Sequence, residues 1–407
     1  MIIHFWDLPE KRTYVTLSKN FKNKLLCILE NNKIYLWKFK DRIKNRKISI
    51  KKLKYISKNE NISLEEIERN VIWIGGINSK GISNPRLPFN FSNRSGARFI
   101  SAITNDGCLS NTNKDNCYGR LMYDNFDETI RNSVIIDYIE IFGGKPEEIA
   151  FRNYEKKKFL EFPSVVRDIV ELILKEKGSK CESNLKIPDF IFDSNENMLG
   201  WIEQTIADEG EVKYDLKKYR RAIVWRRSVD VTDIFNKKIA NDISIRQLPP
   251  SLQKAVQDKK CNLIEAEKEI LYLLGINYNL YNLGVYSTVK NKIRTRWQIS
   301  ITKRENLLKL RGLITIPSKN KDKKFSESFG KYKRYKEPLR IKQVIMELGK
   351  NNRVFTANDL KIKMKYKQVN IVYKWINKFK EEGLIKKIKD SAYGGGYYRK
   401  PAEYKLF

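Results

Sequence analysis

Two short stretches hold the residues best placed to do chemistry. Phe99-Ile-Ser-Ala-Ile-Thr-Asn-Asp-Gly107 and Ile202-Glu-Gln-Thr-Ile-Ala-Asp-Glu-Gly210 are each an apolar, helix-like run that ends in an acid followed by glycine. Asp106 and Glu209 thus close two helices, and a chain built that way can bring two carboxylates together around a metal. Phosphodiester hydrolysis needs an activated water and charge relief on the phosphate and the leaving oxygen, which divalent ions held by carboxylates supply. Mg²⁺, or Mn²⁺ in its place, takes hard oxygen ligands and shares them with a substrate phosphate. Asp106 and Glu209 are the expected metal ligands and catalytic acids. In a cleft without metal the two would repel, leaving one partly protonated. Gly107 and Gly210 let the chain turn sharply into a following strand.

The totals name the partner class. Lys and Arg number 81 against 48 Asp and Glu, a formal net charge of +33. Such an excess repels itself and is best explained by a polyanion. No apolar run reaches the roughly 18 residues a membrane span needs, and the N-terminus lacks the basic-then-apolar pattern of a signal peptide. The expected location is intracellular and cytoplasmic, associated with DNA. His4 is the sole histidine, which argues against His-dependent nucleases, His-ligated zinc and Ser-His-Asp hydrolysis. The five cysteines form no Cys-x-x-Cys pair, so reduced thiols are expected rather than zinc or disulfides. No phosphate loop supports NTP hydrolysis.

The elements that must position the acids follow from periodicity. Residues 1–75 read as short basic helices, either a helix-turn-helix unit or a helical cap, with Ser63-Leu-Glu-Glu66 as a capping box. Residues 76–96 read as a linker rich in Gly, Asn, Ser and Pro. Residues 97–186 then give the order α-β-β-α-β-β-α, and 187–316 repeat it with an insert at 231–258. Residues 317–340, with nine Lys/Arg against three Asp/Glu, read as a basic linker. Residues 341–407 read as a winged helix, with Val369, Val372, Ile376 and Phe379 on one helix face and a basic, aromatic hairpin at Asp390–Lys400. The fold class is α+β.

The paired acid-ending runs, the doubled element order and the lead-in Ile187-Pro-Asp-Phe-Ile-Phe resemble the LAGLIDADG homing endonucleases in their single-chain, two-motif form, over roughly residues 97–316. In that register Phe99 and Ile202 take the first position, and Asp106-Gly107 and Glu209-Gly210 the last two. The third position is usually small: Ser101 matches, and Gln204 is larger. The resemblance implies a pseudo-symmetric saddle, with two motif helices side by side and two four-stranded sheets over the DNA major groove. It implies a monomer that makes metal-dependent double-strand cuts.

Strand residues would read or grip the duplex: Lys114, Arg120, Lys156 and Lys158 in the first half, Lys213, Arg220, Arg226, Arg227, Arg294 and Arg296 in the second. A β-ribbon fits the major groove, and arginine pairs with guanine edges. Pro188-Asp189 followed by Glu211-Val-Lys213 imitates a PD-(D/E)xK nuclease, which needs both elements on adjacent strands. The alternative readings are a non-catalytic DNA-binding transcription regulator and an RNA maturase, since related cores bind intron RNA.

Overall fold

The computed structural model describes all residues except 32–46, 78, 110–118, 156, 176–183, 216–219, 236–241, 290, 331–337, 351–352, 367–368 and 394–398. The chain is α+β and forms two compact units, Met1–Ser328 and Phe329–Phe407. Among the described residues no helix is long and apolar enough to cross a membrane.

The N-terminal segment is where sequence and structure differ most. Strands β1 (Ile2–Ile3) and β2 (Tyr14–Leu17) precede helix α1 (Lys19–Asn31). β3 (Ile48–Ser49), α2 (Ile50–Glu60), α3 (Leu64–Glu68), β4 (Val71–Gly75), β5 (Gly81–Ser83) and β6 (Phe89–Asn90) follow. β3-β2-β4-β5 form an antiparallel sheet, and β1 pairs with β6. The expected all-helical 1–75 is therefore corrected to a sheet flanked by helices, and 76–96 contributes strands rather than a linker. Tyr-Val-Thr-Leu and Val-Ile-Trp-Ile are β-branched and aromatic runs that suit a half-buried pleat, with Val15, Leu17 and Ile74 buried. Ser63 caps α3 by accepting from the Glu66 N–H at 3.1 Å. The helix expected near Ile34–Ile43 lies outside the described residues.

The two central halves share one order of elements. The first holds α4 (Arg94–Asn105), β7 (Gly107–Leu109), β8 (Leu121–Asp124), α5 (Glu128–Phe142), β9 (Ala150–Tyr154), β10 (Lys157–Phe162) and α6 (Ser164–Leu174). The second holds α7 (Asn195–Asp208), β11 (Glu211–Asp215), β12 (Arg220–Asp230), the inserted α8 (Pro250–Asp258), α9 (Asn262–Leu273), β13 (Asn279–Ser287), β14 (Ile293–Ile301) and α10 (Arg304–Leu313). The sheets run β7-β8-β10-β9 and β11-β12-β14-β13, the same pattern twice. Phe99, Tyr138, Phe142 and Phe162 interlock beneath the first sheet. α6 ends at Lys175 in the left-handed region.

The expected linker 317–340 instead begins with α11 (Lys319–Gly330). Its single buried aromatic, Phe325 at 1% exposure, and the pairing of Arg311 with Asp322 at 2.5 Å dock a segment whose composition alone reads as solvated.

The second unit has its own core. α12 (Pro338–Leu348), β15 (Phe355–Thr356), α13 (Ala357–Met364), α14 (Val369–Glu381), β16 (Ile385–Lys389), β17 (Ala392–Tyr393), β18 (Arg399–Lys400) and β19 (Glu403–Leu406) follow in order. β15-β19-β16 form a sheet and β17 pairs with β18. Thr356 caps α13. Val372, Ile376 and Phe379 of the expected stripe are buried with Ile345, Leu360 and Tyr404, and Val369 packs at the edge.

Candidate active site

The site grows from two helices that lie against each other. Asn93 caps α4 by accepting from the Gly96 N–H at 2.7 Å, and Ser194 caps α7 through the Asn197 N–H at 3.2 Å. Close approach falls at Gly200, where an added Cβ would lie 2.3 Å from the Arg94 carbonyl oxygen. One turn on, the Ser101 hydroxyl donates to the Trp201 carbonyl at 3.0 Å and sits 3.2 Å from the Thr205 hydroxyl. Gln204 is no obstacle, because its amide turns to donate to Asp208 at 3.0 Å. Glu203, buried within the pair, is met by Arg94 at 2.5 Å and Arg98 at 3.6 Å.

Both helices end alike. The Asp106 N–H donates to the Ala102 carbonyl and the Glu209 N–H to the Thr205 carbonyl, each at 3.0 Å. Each acid is thus the cap residue of its helix. Neither following glycine has a positive φ. They are required for space: a Cβ would stand 2.5 Å from the Ile103 carbonyl at Gly107 and 2.4 Å from the Ile206 carbonyl at Gly210.

The residues one step before the acids, Asn105 and Asp208, meet across the helix pair at 3.2 Å. Two sheet residues at matching register hold the ends. Gly107 pairs with Tyr123, and the Glu211–Val224 pairing sets Trp225 opposite Gly210. Two residues beyond these lie Asn125 and Arg227. Asn125 donates to Asp106 at 3.0 Å and to Asp208 at 3.4 Å. Arg227 donates to Glu209 at 3.5 Å and to Asn105 at 2.7 Å. Each side chain therefore touches its own terminal acid and the inner residue of the opposite helix.

A third carboxylate enters the electrostatics of the helix ends. The Asp208 carboxyl is raised to about 8, by burial first and by the Asp106 charge second. Tyr123 stabilises it through a 2.6 Å hydrogen bond. Burial pulls the Arg227 guanidinium down, and Glu267 and Glu209 more than offset it, so its pKa lies above the ordinary arginine value. Glu267, fully buried on α9, accepts from Arg227 at 2.6 Å and from the Trp225 indole at 2.7 Å. Lys321 of α11 places its ammonium 2.5 Å from the Ala207 carbonyl at the α7 terminus. Burial lowers its pKa, against the raising effect of Asp208, Asp106, Asp127 and Glu209.

Pleating sorts the expected nucleic-acid contacts, because alternate residues face opposite sides of a sheet. Arg226, Arg296 and Arg294 fall on one face through the pairs Arg226–Gln298, Ser228–Arg296 and Asp230–Arg294, and Lys213 joins them through Ala222. Arg226 is exposed, and Arg296 stacks on Tyr286 at 4.3 Å. Arg227, next in sequence, must face the other way and is 5% exposed, so its expected role as a DNA contact is corrected. Lys158 shares the register of Leu160 and Phe162, on the core side, which makes Lys157 the solvent-face lysine of that strand. Arg120 is largely exposed beside Glu161 at 3.5 Å. Arg220 opens β12 opposite Asp215. Lys114 and Lys156 lie outside the described residues. Asp189 sits in a short 3-10 turn and Glu211 on β11, so the PD-(D/E)xK arrangement is absent.

No family model matches the sequence, and no curated protein matches it. A structural neighbour is the homing endonuclease I-WcaI bound to its DNA recognition sequence, at 12% identity and a TM-score of 0.29, over 54% of this chain and 80% of that one. The chain's own residues therefore carry the functional reading. Among them, Asp208, Asn125, Tyr123 and Lys321 went unseen in the sequence. Asp208 had a visible signal, a second acid beside Glu209. The others are brought in by strand register and by α11.

Proposed function

We propose that the chain is a site-specific DNA endonuclease of LAGLIDADG type that cuts both strands, with Asp106 and Glu209 as ligands of Mg²⁺ or Mn²⁺. The observation that carries this is the ending of two packed helices on matched cap carboxylates, each leading into a sheet of the same strand order. Among the described residues no group of three or more His, Cys or carboxylate side chains forms a metal site. The donor set, one hard carboxylate per helix, fits an ion that completes its shell with water and substrate phosphate. Bound there, such ions would activate water and relieve phosphate charge. The chain's own part is positional. Asn125 orients Asp106, Arg227 orients Glu209, Lys321 offsets the negative end of α7, and Lys213, Arg226, Arg294 and Arg296 face the duplex. In the reaction, water oxygen bonds to phosphorus and the bond to the leaving sugar oxygen breaks. One water proton ends on that oxygen and the other in solvent.

In the same reading the two sheets form the saddle over the major groove and the protein acts as an intracellular monomer. The second unit, three helices with the β15-β19-β16 sheet and the β17-β18 hairpin, is a winged helix giving a further DNA contact. The competing reading, a non-catalytic transcription regulator, is favoured by the guanidinium against Glu209 and by that extra unit. The deciding experiment is cleavage of a random-sequence duplex library with Mg²⁺ or Mn²⁺ by the wild type and by Asp106→Asn/Glu209→Gln. Sequence-specific breaks from the wild type alone are expected. Selective duplex binding without cleavage would leave the regulator, and preference for structured RNA would leave the maturase.

A further inference from the structure

We infer that the N-terminal sheet carries a platform for single-stranded nucleic acid, a site separate from the two acid-ending helices. Trp73 and Tyr14 stack its bases, and Lys47 takes a phosphate.

The sheet β3-β2-β4-β5 has two unlike faces. Ile48, Val15, Ile74 and Ile82 form one cross-strand row and are buried. Alternate residues point the other way. There Ser49, Tyr14, Gly75 and Gly81 make one row, and Thr16, Trp73 and Ser83 the next. Every side chain of these two rows is half-buried rather than buried. The face thus offers two rings and three hydroxyls, with no aliphatic side chain. The glycines clear a floor for Trp73: an added Cβ would stand 2.9 Å from its indole at Gly75 and 2.4 Å at Gly81. Tyr14 and Trp73 are diagonal neighbours, about 7–8 Å apart, roughly twice the 3.4 Å rise of stacked bases. Two successive bases are therefore taken splayed, one to each ring, as in the recognition of single strands.

Lys47, immediately before β3, holds its ammonium 3.7 Å from the Trp73 ring centroid. It also donates to the Gly76 and Ile77 carbonyls at 3.5 and 3.2 Å. Burial lowers its pKa, so its charge is poorly compensated there. A cation on an exposed ring is worth about two- to fivefold in affinity, a stacked base about 5- to 150-fold. A base therefore displaces the ammonium from the ring, and the flexible lysine stem leaves it within reach of a phosphate of the same strand. The β4–β5 turn lies against the first central sheet. Ser79 in that turn meets the Ser164 hydroxyl at 2.8 Å and shares with Lys80, Arg120 and Arg152 a cavity of about 300 Å³. Basic groups thus continue from that sheet to the edge of the platform.

The full chain, without divalent ions, is titrated against labelled oligothymidylate and oligouridylate, and against the same backbones made abasic. Fluorescence anisotropy reads the affinities. The phosphates are identical, so the ratio isolates the bases. For at least one sugar the wild type should prefer the base-bearing strand by about 5- to 150-fold. Trp73→Leu should remove most of that ratio and leave abasic binding unchanged, whereas Trp73→Phe keeps most of it. Lys47→Gln should weaken both strands alike and lower the salt slope by about 0.7, the value of one phosphate contact on a single strand. With 5-iodouracil in the strand, the wild-type photocross-link should map to Trp73 or Tyr14.

Equal binding of base-bearing and abasic strands by the wild type, for both sugars, overturns the inference. So does a ratio that survives Trp73→Leu, or a cross-link confined to other residues. None of these readouts uses a metal or cleavage, so they decide the platform whether or not the chain cuts DNA. If Trp73→Leu does not fold, the wild-type ratio and cross-link map still decide the matter.

Discussion

Asp208 sits where its neutral form is favoured. Burial and the Asp106 charge raise its carboxyl to about 8, against about 3.9 in an unfolded chain. Between those values the folded protein holds the extra proton. This group's contribution to stability is therefore full below about pH 4 and is lost as pH rises through about 8. Asp208→Asn keeps an uncharged acceptor for Tyr123 and Gln204. In urea melts from pH 5 to 8 the wild type should lose stability relative to this variant as pH rises. A difference that does not change with pH would refute the assignment. Asp106 and Glu209 were legible because each ends an apolar run before glycine. Asp208 is another carboxylate one position before Glu209, and nothing in the residue string says which of two adjacent carboxylates lies between the helices. The same limit applies to Arg226 and Arg227, since one pleat of register decides which faces solvent.

At the level of elements, the repeated α-β-β-α-β-β-α order was legible because its helices and strands carry strong periods and are separated by glycine or turn residues. β2 and β4 were misread because runs of only four and five residues fit helical spacing as well as strand alternation. α11 was missed because one phenylalanine and one ion pair dock it, a signal that composition averages away. The crossing of α4 and α7 depends on Gly200, whose Cβ position meets backbone rather than a yielding side chain. Gly200→Ala should therefore cost about 1–3 kcal/mol, the usual penalty for overpacking, despite alanine's better helix propensity. Chemical denaturation measures it, and an equal or more stable variant would mean that the helices do not meet at this residue.

Across the whole molecule, the division at Ser328 and Phe329 coincides with separate cores, the second built, among the described residues, from twelve buried side chains of its own. Calorimetry should show the chain cut after Gly330 unfolding at the temperature of the corresponding transition in the full-length protein. A marked drop would mean that residues 331–407 support the first unit. The +33 charge was legible as a whole-chain property, whereas its sorting onto sheet faces needed the register.

The pairing of α4 with α7 also sets an order of events on the ribosome. Ser101 meets Thr205, 104 residues downstream, and Arg94 donates to the Leu313 carbonyl, 219 residues downstream. At roughly 5–20 residues per second, the face of α4 that meets α7 leaves the exit tunnel some 5–20 s before its partner helix does. Through that interval the nascent first half presents Ala97, Ser101 and Asn105, which meet α7, with their permanent neighbour still missing. It is then a client for holding chaperones, and translation speed between the two acid-ending helices becomes a determinant of yield.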